Sequence, residues 1–261
     1  MELYLITGFL GAGKTTFLKN FARQFAGRRL RLIINEFGRV GVDGTLLREL
    51  DAALDEISNG SIFCACRLDQ FEAALEQAAA DAPDVALVEA SGLADPTNVR
   101  RVLAQFPAVS YQGSVCVADA ARLEKVFSTA RACPRQLAVS SLVLLNKTDL
   151  ATEAQCAEAK ALILRANPAA RIRRTQFGRF EPEWLSLIVP DVDVDEVLDM
   201  PDITLQKAVL QIRPTMPFAA LQKCLVQLAG ETWRIKGFVR VPEGIFYVDC
   251  TGPEVRLTPW Q

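Results

Sequence analysis

The chain has 261 residues, of which 50% are hydrophobic, enough to bury a full core in one large domain or in a large and a small one. With 31 Asp and Glu against 29 Lys and Arg the formal charge is −2, which gives no electrostatic case for nucleic acid, and no apolar run approaches the ~20 residues that cross a bilayer. Seven scattered cysteines, no histidine, and an opening MELYLITGFLGAGK without the charged start and long apolar run of a secretory signal predict a reducing, cytoplasmic setting.

The first apolar run, Leu3 to Ile6, leads into GFLGAGKT from Gly8 to Thr15. An amphipathic stretch through Phe17, Leu18, Phe21 and Phe25 follows and ends at Gly27. This predicts a strand, a glycine loop and a helix. The loop fits G-x-x-x-x-G-K-[ST], in which backbone N–H groups wrap a phosphate at the start of a helix. Gly8, Gly11, Ala12, Gly13, Lys14, Thr15 and Thr16 are therefore candidate nucleotide-binding residues, with Lys14 reaching the β- and γ-phosphates and the Thr15 hydroxyl on Mg²⁺. Next, the strand RLRLII runs into NEFGRVGVDG, whose glycines suit a loop that changes shape, and whose Glu36 and Asp43 are candidate carboxylates near the site. NGSIFCACR, Asn59 to Arg67, then sets Cys64 and Cys66 one residue apart. They are either ligands of a transition metal or two buried thiols, and a pair supplies half of a tetrahedral zinc site.

DVALVEASGLADP places an apolar strand, Val85 to Val88, before Glu89 and Ala90-Ser91-Gly92. A carboxylate at such a strand end holds Mg²⁺ or its water, and a glycine three residues on can offer its N–H to a γ-phosphate. Cys116, inside SVCVAD, reads as a small hydrophobe, and the cysteines at 133, 156, 224 and 250 read as structural. In SSLVLLNKTDL, Leu142 to Leu145 form a buried strand, and Asn146-Lys147-x-Asp149 stands at its carboxyl end, where an open parallel sheet holds its ligands. The quartet resembles the guanine-reading motif of GTPases. There the aspartate accepts from the guanine N1–H and 2-amino group, a donor pair that adenine lacks. Thr152 and Gln155 are spaced as a capping box for the next helix. RIRRTQFGRF is the expected last strand of the sheet and its loop. PDVDVDEVLDMPD, with six carboxylates between Pro190 and Asp202, reads as a solvated linker. Beyond it, Phe218, Leu221, Leu225 and Leu228 share a helical face that ends at Gly230, and VPEG is a hairpin turn between Phe238–Val241 and Ile245–Val248. Trp233 and Trp260 read as packed core aromatics, with anchors of a client-binding sheet face as the alternative.

In order and spacing, TGFLGAGKTTFL, INEFGRVGVDG, ALVEASGLADPTNV and LLNKTDL resemble the CobW-type branch of the CobW/HypB/UreG family of P-loop GTPases, and RIKGFVRVPEGIFYV is more loosely similar to its C-terminal module. The resemblance implies an α/β protein, a mostly parallel P-loop sheet with helices on both faces plus a small α+β module. The expected divisions are a GTPase domain over 1–189, an acidic linker over 190–204 and a C-terminal domain over 205–261. It implies a slow GTPase that uses GTP/GDP and Mg²⁺ to deliver a metal ion, such as zinc or cobalt, or a metal cofactor to a client metalloprotein or cofactor-dependent enzyme. Neither nucleic acid nor membrane is an expected partner, and a homodimer is compatible with the reading. By the same resemblance NEFGRVGVDG is the first switch, with Asp43 sensing Mg²⁺ or the γ-phosphate. The family's metal motif N-G-C-x-C-C becomes Asn59-Gly60-Ser61-Ile62-Phe63-Cys64 here, with Cys66 restoring one thiol further along. That leaves a two-thiolate site completed by a client or second subunit, a soft-metal site of low coordination, or no metal, with Glu36 a candidate oxygen ligand. The competing function is a nucleotide-gated assembly or activation factor that carries no metal. A small-molecule kinase is disfavoured by N-K-x-D.

Overall fold

The computed structural model describes residues 1–35, 50, 52–57, 68–190, 210–212, 216–232, 234–251 and 254–260. Glu36, Asp43, Cys64, Cys66, Trp233 and nearly all of the acidic stretch lie outside the described residues. The chain divides into two compact units, Met1–Ile203 and Thr204–Gln261.

In the first unit seven strands pair in parallel: β1 (Glu2–Thr7), β2 (Leu30–Ile34), β3 (Ala52–Glu56), β4 (Val85–Glu89), β5 (Ser110–Asp119), β6 (Leu142–Asn146) and β7 (Arg171–Arg174). Their order across the sheet is β3-β2-β4-β1-β5-β6-β7. The chain thus works outward on one side of β1, returns, and then works outward on the other. The carboxyl ends of the central strands meet at the reversal, which is where open sheets of this kind hold ligands.

The strands read as unbroken apolar runs because both faces are covered. β1 sends Tyr4 and Ile6 to one face, where they meet Phe17, Leu18 and Phe21 of helix α1 (Lys14–Ala22). Its alternate residues Leu3 and Leu5 face Phe71 and Leu75 of α2 (Leu68–Asp81) and Val99 and Val102 of α3 (Val99–Leu103). Each fully buried aromatic or leucine contributes about 1.5–3 kcal/mol relative to exposure. The connections between β5, β6 and β7 are made by α4 (Leu123–Thr129), α5 (Ala132–Ala138) and α6 (Glu153–Ala166). The predicted capping box starts α6: Thr152 Oγ1 accepts from the Gln155 N–H at 3.2 Å, and the Thr152 N–H donates to Gln155 Oε1 at 2.9 Å. After β7 the chain crosses back over α1, where the Phe180 ring sits 4.9 Å from Phe21 and 5.8 Å from Trp184.

The second unit is a three-stranded antiparallel sheet, β8 (Arg234–Val241), β9 (Gly244–Thr251) and β10 (Glu254–Trp260), with helix α7 (Phe218–Glu231) on one face. Leu221, Leu225 and Ala229 pack on Val241, Val248 and Cys250. Val241 pairs with Gly244, so Pro242-Glu243 is the two-residue connection, and the Glu243 carboxylate accepts from the Phe218 N–H at the start of α7. Two expectations are corrected. The helix passes through Gly230 to Glu231, where the Thr232 hydroxyl donates to the Leu228 carbonyl at 2.8 Å and closes the last turn. Trp260 is no core residue. It is 46% exposed, on the sheet face away from α7, and its ring lies 4.8 Å from that of Phe238.

Candidate functional site

The Gly8–Thr15 segment joins the carboxyl end of β1 to the first turn of α1. Gly13 is the residue before the helix, at φ 103°, and an added Cβ would meet Asn146 Nδ2 at 2.6 Å. Only glycine fits there without strain. The loop is a closed turn: the Ala12 N–H donates to the Phe9 carbonyl at 3.2 Å, and the Lys14 ammonium, itself buried, donates to the same carbonyl at 3.4 Å. The N–H groups of the first helical turn have no partners within the helix, so this end carries a partial positive charge beside that ammonium. Thr16 follows on the same turn, exposed.

Next to the loop, Glu89 ends β4 with its side chain buried. The Thr15 hydroxyl donates to Glu89 Oε1 at 3.3 Å. A hydroxyl and a carboxylate are hard oxygen donors, and this donor set fits Mg²⁺, which keeps most of its waters and takes few protein ligands. Gly92 backs the loop from below. An added Cβ there would stand 2.7 Å from the Leu10 backbone nitrogen, and Gln136 holds the surrounding turn by donating to the carbonyls of Gly92 and Ala94. An ion pair between Arg135 and Asp95 closes the same turn.

Asn146, at the end of β6, ties three segments together. Its Nδ2 donates to the Ala12 carbonyl at 2.9 Å, and its Oδ1 accepts from the Gly178 N–H at 3.0 Å. Lys147 follows in the left-handed region, φ 59°, and its ammonium meets Asp119 Oδ2 at 2.9 Å. Asp149 is exposed, in the short turn Thr148–Leu150. The loop after β7 closes the arrangement: Thr148 donates its N–H and its hydroxyl to the Thr175 carbonyl, and Asn20 of α1 donates to the carbonyls of Phe177 and Gly178. The sequence reading missed Asp119, Asn20 and Gly178. Asp119 carried a signal, since it ends the apolar run SVCVAD as Glu89 and Asn146 end theirs.

Gly178 sits at φ 61°, and an added Cβ would stand 2.6 Å from the Phe17 backbone nitrogen. Gly178→Ala is expected to destabilise the first unit by about 1–3 kcal/mol through strain and displacement of the loop. Thermal denaturation checks this, and a midpoint equal to the parent's would refute the close approach.

The described cysteines play no visible part. Burial pushes the Cys116 thiol up to about 12 and the Cys133 thiol well above its ordinary value, so both remain protonated at neutral pH and ligate metal poorly. Among the described residues no group of three or more metal-ligating side chains forms, and no helix is long and apolar enough to cross a membrane.

Residues 2–174 match the profile of the CobW/HypB/UreG nucleotide-binding domain. The chain is 32% identical over 206 residues to a protein of Pseudomonas aeruginosa named zinc chaperone CobW, covering 65% of this chain and 55% of that one. It is 26% identical over 226 residues to the Escherichia coli zinc chaperone YjiA, covering 83% and 66%. These matches span between about half and two thirds of the relatives' own lengths. The crystal structure of the Zn(II)-bound YjiA GTPase from E. coli shares the fold, with a TM-score of 0.55 at 20% identity over 100% of this chain and 90% of that one.

Proposed function

The chain belongs to the CobW/HypB/UreG family, and on that premise we propose that it is a Mg²⁺-dependent GTPase that couples its nucleotide state to the handling of a transition metal, such as zinc, for a client metalloprotein. The observation that carries the reading is the Asn146 amide. Through its bonds to Ala12 and Gly178 it ties the phosphate loop to the N-K-x-D segment, the two parts that would read the phosphates and the base of one nucleotide. Gly8, Gly11, Ala12, Gly13, Lys14, Thr15 and Thr16 bind the phosphates. Thr15 and Glu89 would hold Mg²⁺, whose charge would stabilise the β- and γ-phosphate oxygens when bound. Gly92 offers its N–H to the γ-phosphate. Asn146 and Lys147 position the guanine, and Asp149 accepts from its N1–H and 2-amino group.

Hydrolysis transfers the γ-phosphoryl group to water, breaking its bond to the β,γ-bridging oxygen and giving GDP and phosphate. With no histidine in the chain, the reaction rests on positioning and on charge stabilisation, with Glu36, Asp43 and Glu89 the carboxylates assigned to the site. Turnover is slow on this reading, because no dedicated base accelerates attack. Zinc as cargo is supported by the names of the relatives, and Cys64 and Cys66 are the thiolates that would hold it, with a client or a second subunit completing the coordination. One observation favours a second reading, a nucleotide-gated assembly factor that carries no metal: Ser61 and Phe63 stand where the family motif has cysteines.

Metal titration under reducing conditions separates the two. The parent and a Cys64→Ser/Cys66→Ser double variant are compared with and without GTP and Mg²⁺. Metal handling predicts stoichiometric zinc binding that the double variant loses and that GTP alters. Absence of binding in every state would leave the assembly factor.

A further inference from the structure

We infer that Phe177 forms an aromatic wall of the base site, its ring packing on the purine of the bound nucleotide. The inference rests on the GTP-binding reading above and adds to it a residue that neither the motifs nor the family match assigns.

Phe177 is 63% exposed, the most exposed large hydrophobic side chain among the described residues. Its backbone is also in an uncommon state. At φ 53° it occupies the left-handed region, where a bulky side chain is a genuine outlier, and Gly178 follows at φ 61°. Strain of this kind persists where surrounding contacts over-determine it. Here those contacts come from three sides. Thr148 fixes the Thr175 carbonyl at 3.0 Å, Asn146 Oδ1 fixes the Gly178 N–H at 3.0 Å, and Asn20 of α1 fixes the carbonyls of Phe177 and Gly178 at 3.1 and 2.9 Å. The loop can lie this close to α1 because position 178 has no side chain.

These anchors are the elements assigned to the nucleotide. Asn146 and Thr148 belong to the N-K-x-D segment, and Asn20 lies on the helix whose first turn cradles the phosphates. A nucleotide with its phosphates on the Gly8–Thr15 loop and its base at Asp149 spans the gap that the Thr175–Gly178 loop borders. An exposed aromatic residue at that border, its backbone held against its preference, has an occupant of matching chemistry in a flat purine. Burial of the ring against the base removes apolar surface from water, and aromatic stacking is tolerant of base identity. Phe177 therefore contributes affinity, while selection of guanine stays with Asp149.

The test measures dissociation constants of the full chain for GTP, for xanthosine triphosphate and for ribose 5-triphosphate, which has the phosphates without a base, in the parent, Phe177→Ala and Phe177→Trp. Alanine is expected to weaken both purine nucleotides about tenfold, by the same factor, and to leave ribose 5-triphosphate unchanged. Tryptophan is expected to retain GTP affinity, with its added fluorescence quenched when GTP binds. Unchanged GTP affinity in Phe177→Ala, or an equal loss for all three ligands, would overturn the stacking role while leaving the GTP reading intact. A parent protein that binds no GTP would overturn the GTP reading itself, and the wall with it.

Discussion

Replacing Lys14 with alanine is expected to abolish GTP binding at micromolar nucleotide while leaving the protein folded. Lys14 opens α1, and its buried ammonium lies over the loop, 3.4 Å from the Phe9 carbonyl. Charge-assisted hydrogen bonds to phosphate oxygens are worth about 1.5–3 kcal/mol each. Loss of contacts to both the β- and γ-phosphates therefore removes about 3–6 kcal/mol, or roughly 10²–10⁴ in affinity. The side chain belongs to neither core cluster of the sheet. Phe17, Leu18 and Phe21, which seat α1 on β1, are untouched. Calorimetric titration with Mg²⁺-GTP reads the binding, and a melting curve confirms the fold. Parental affinity in a folded Lys14→Ala protein would remove the Gly8–Thr15 loop as the phosphate site.

The parts of this site legible in the sequence are those whose chemistry is local. A glycine loop before a helix, a carboxylate ending an apolar strand and the Thr152/Gln155 capping box each need only neighbours within a few residues, so spacing alone carried them. Asp119 meets Lys147, and Asn20 meets Phe177 and Gly178, across 28 and more than 150 residues of chain, and no local pattern encodes such pairings. Gly178 gave no signal of its own either, because its lack of a side chain matters only against the backbone of Phe17. Trp260 failed differently. The alternation in EVRLTPW sets Val255 and Leu257 toward α7, and period 2 then sends Trp260 to the other face. Apolarity alone would bury the tryptophan, but its register exposes it. The cysteine question turns on Cys64 and Cys66, since the buried thiols at 116 and 133 are protonated and packed.

Asp149→Asn is expected to exchange guanine preference for xanthine preference. Asp149 stands exposed after Lys147, whose left-handed backbone and ion pair with Asp119 fix the direction of the segment. On the proposed reading its carboxylate accepts from two donors of guanine, N1–H and the 2-amino group. Asparagine keeps the shape but presents one carbonyl and one NH₂ group, so it leaves a donor facing the 2-amino group. Xanthine has a carbonyl oxygen at that position and accepts from the new NH₂ group. A bidentate base contact is worth about 1–3 kcal/mol of discrimination, so GTP should weaken by about 10–100-fold, while xanthosine triphosphate tightens. The phosphate contacts are common to both ligands, which separates this variant from Lys14→Ala, where both nucleotides weaken together. It also separates it from Phe177→Ala, where the ratio between the two is preserved. Competition titration of GTP against xanthosine triphosphate in the parent and Asp149→Asn reads the ratio directly. A ratio that does not move would place the base away from Asp149 and leave Asn146 and Lys147 as structural ties between β6, β5 and the phosphate loop.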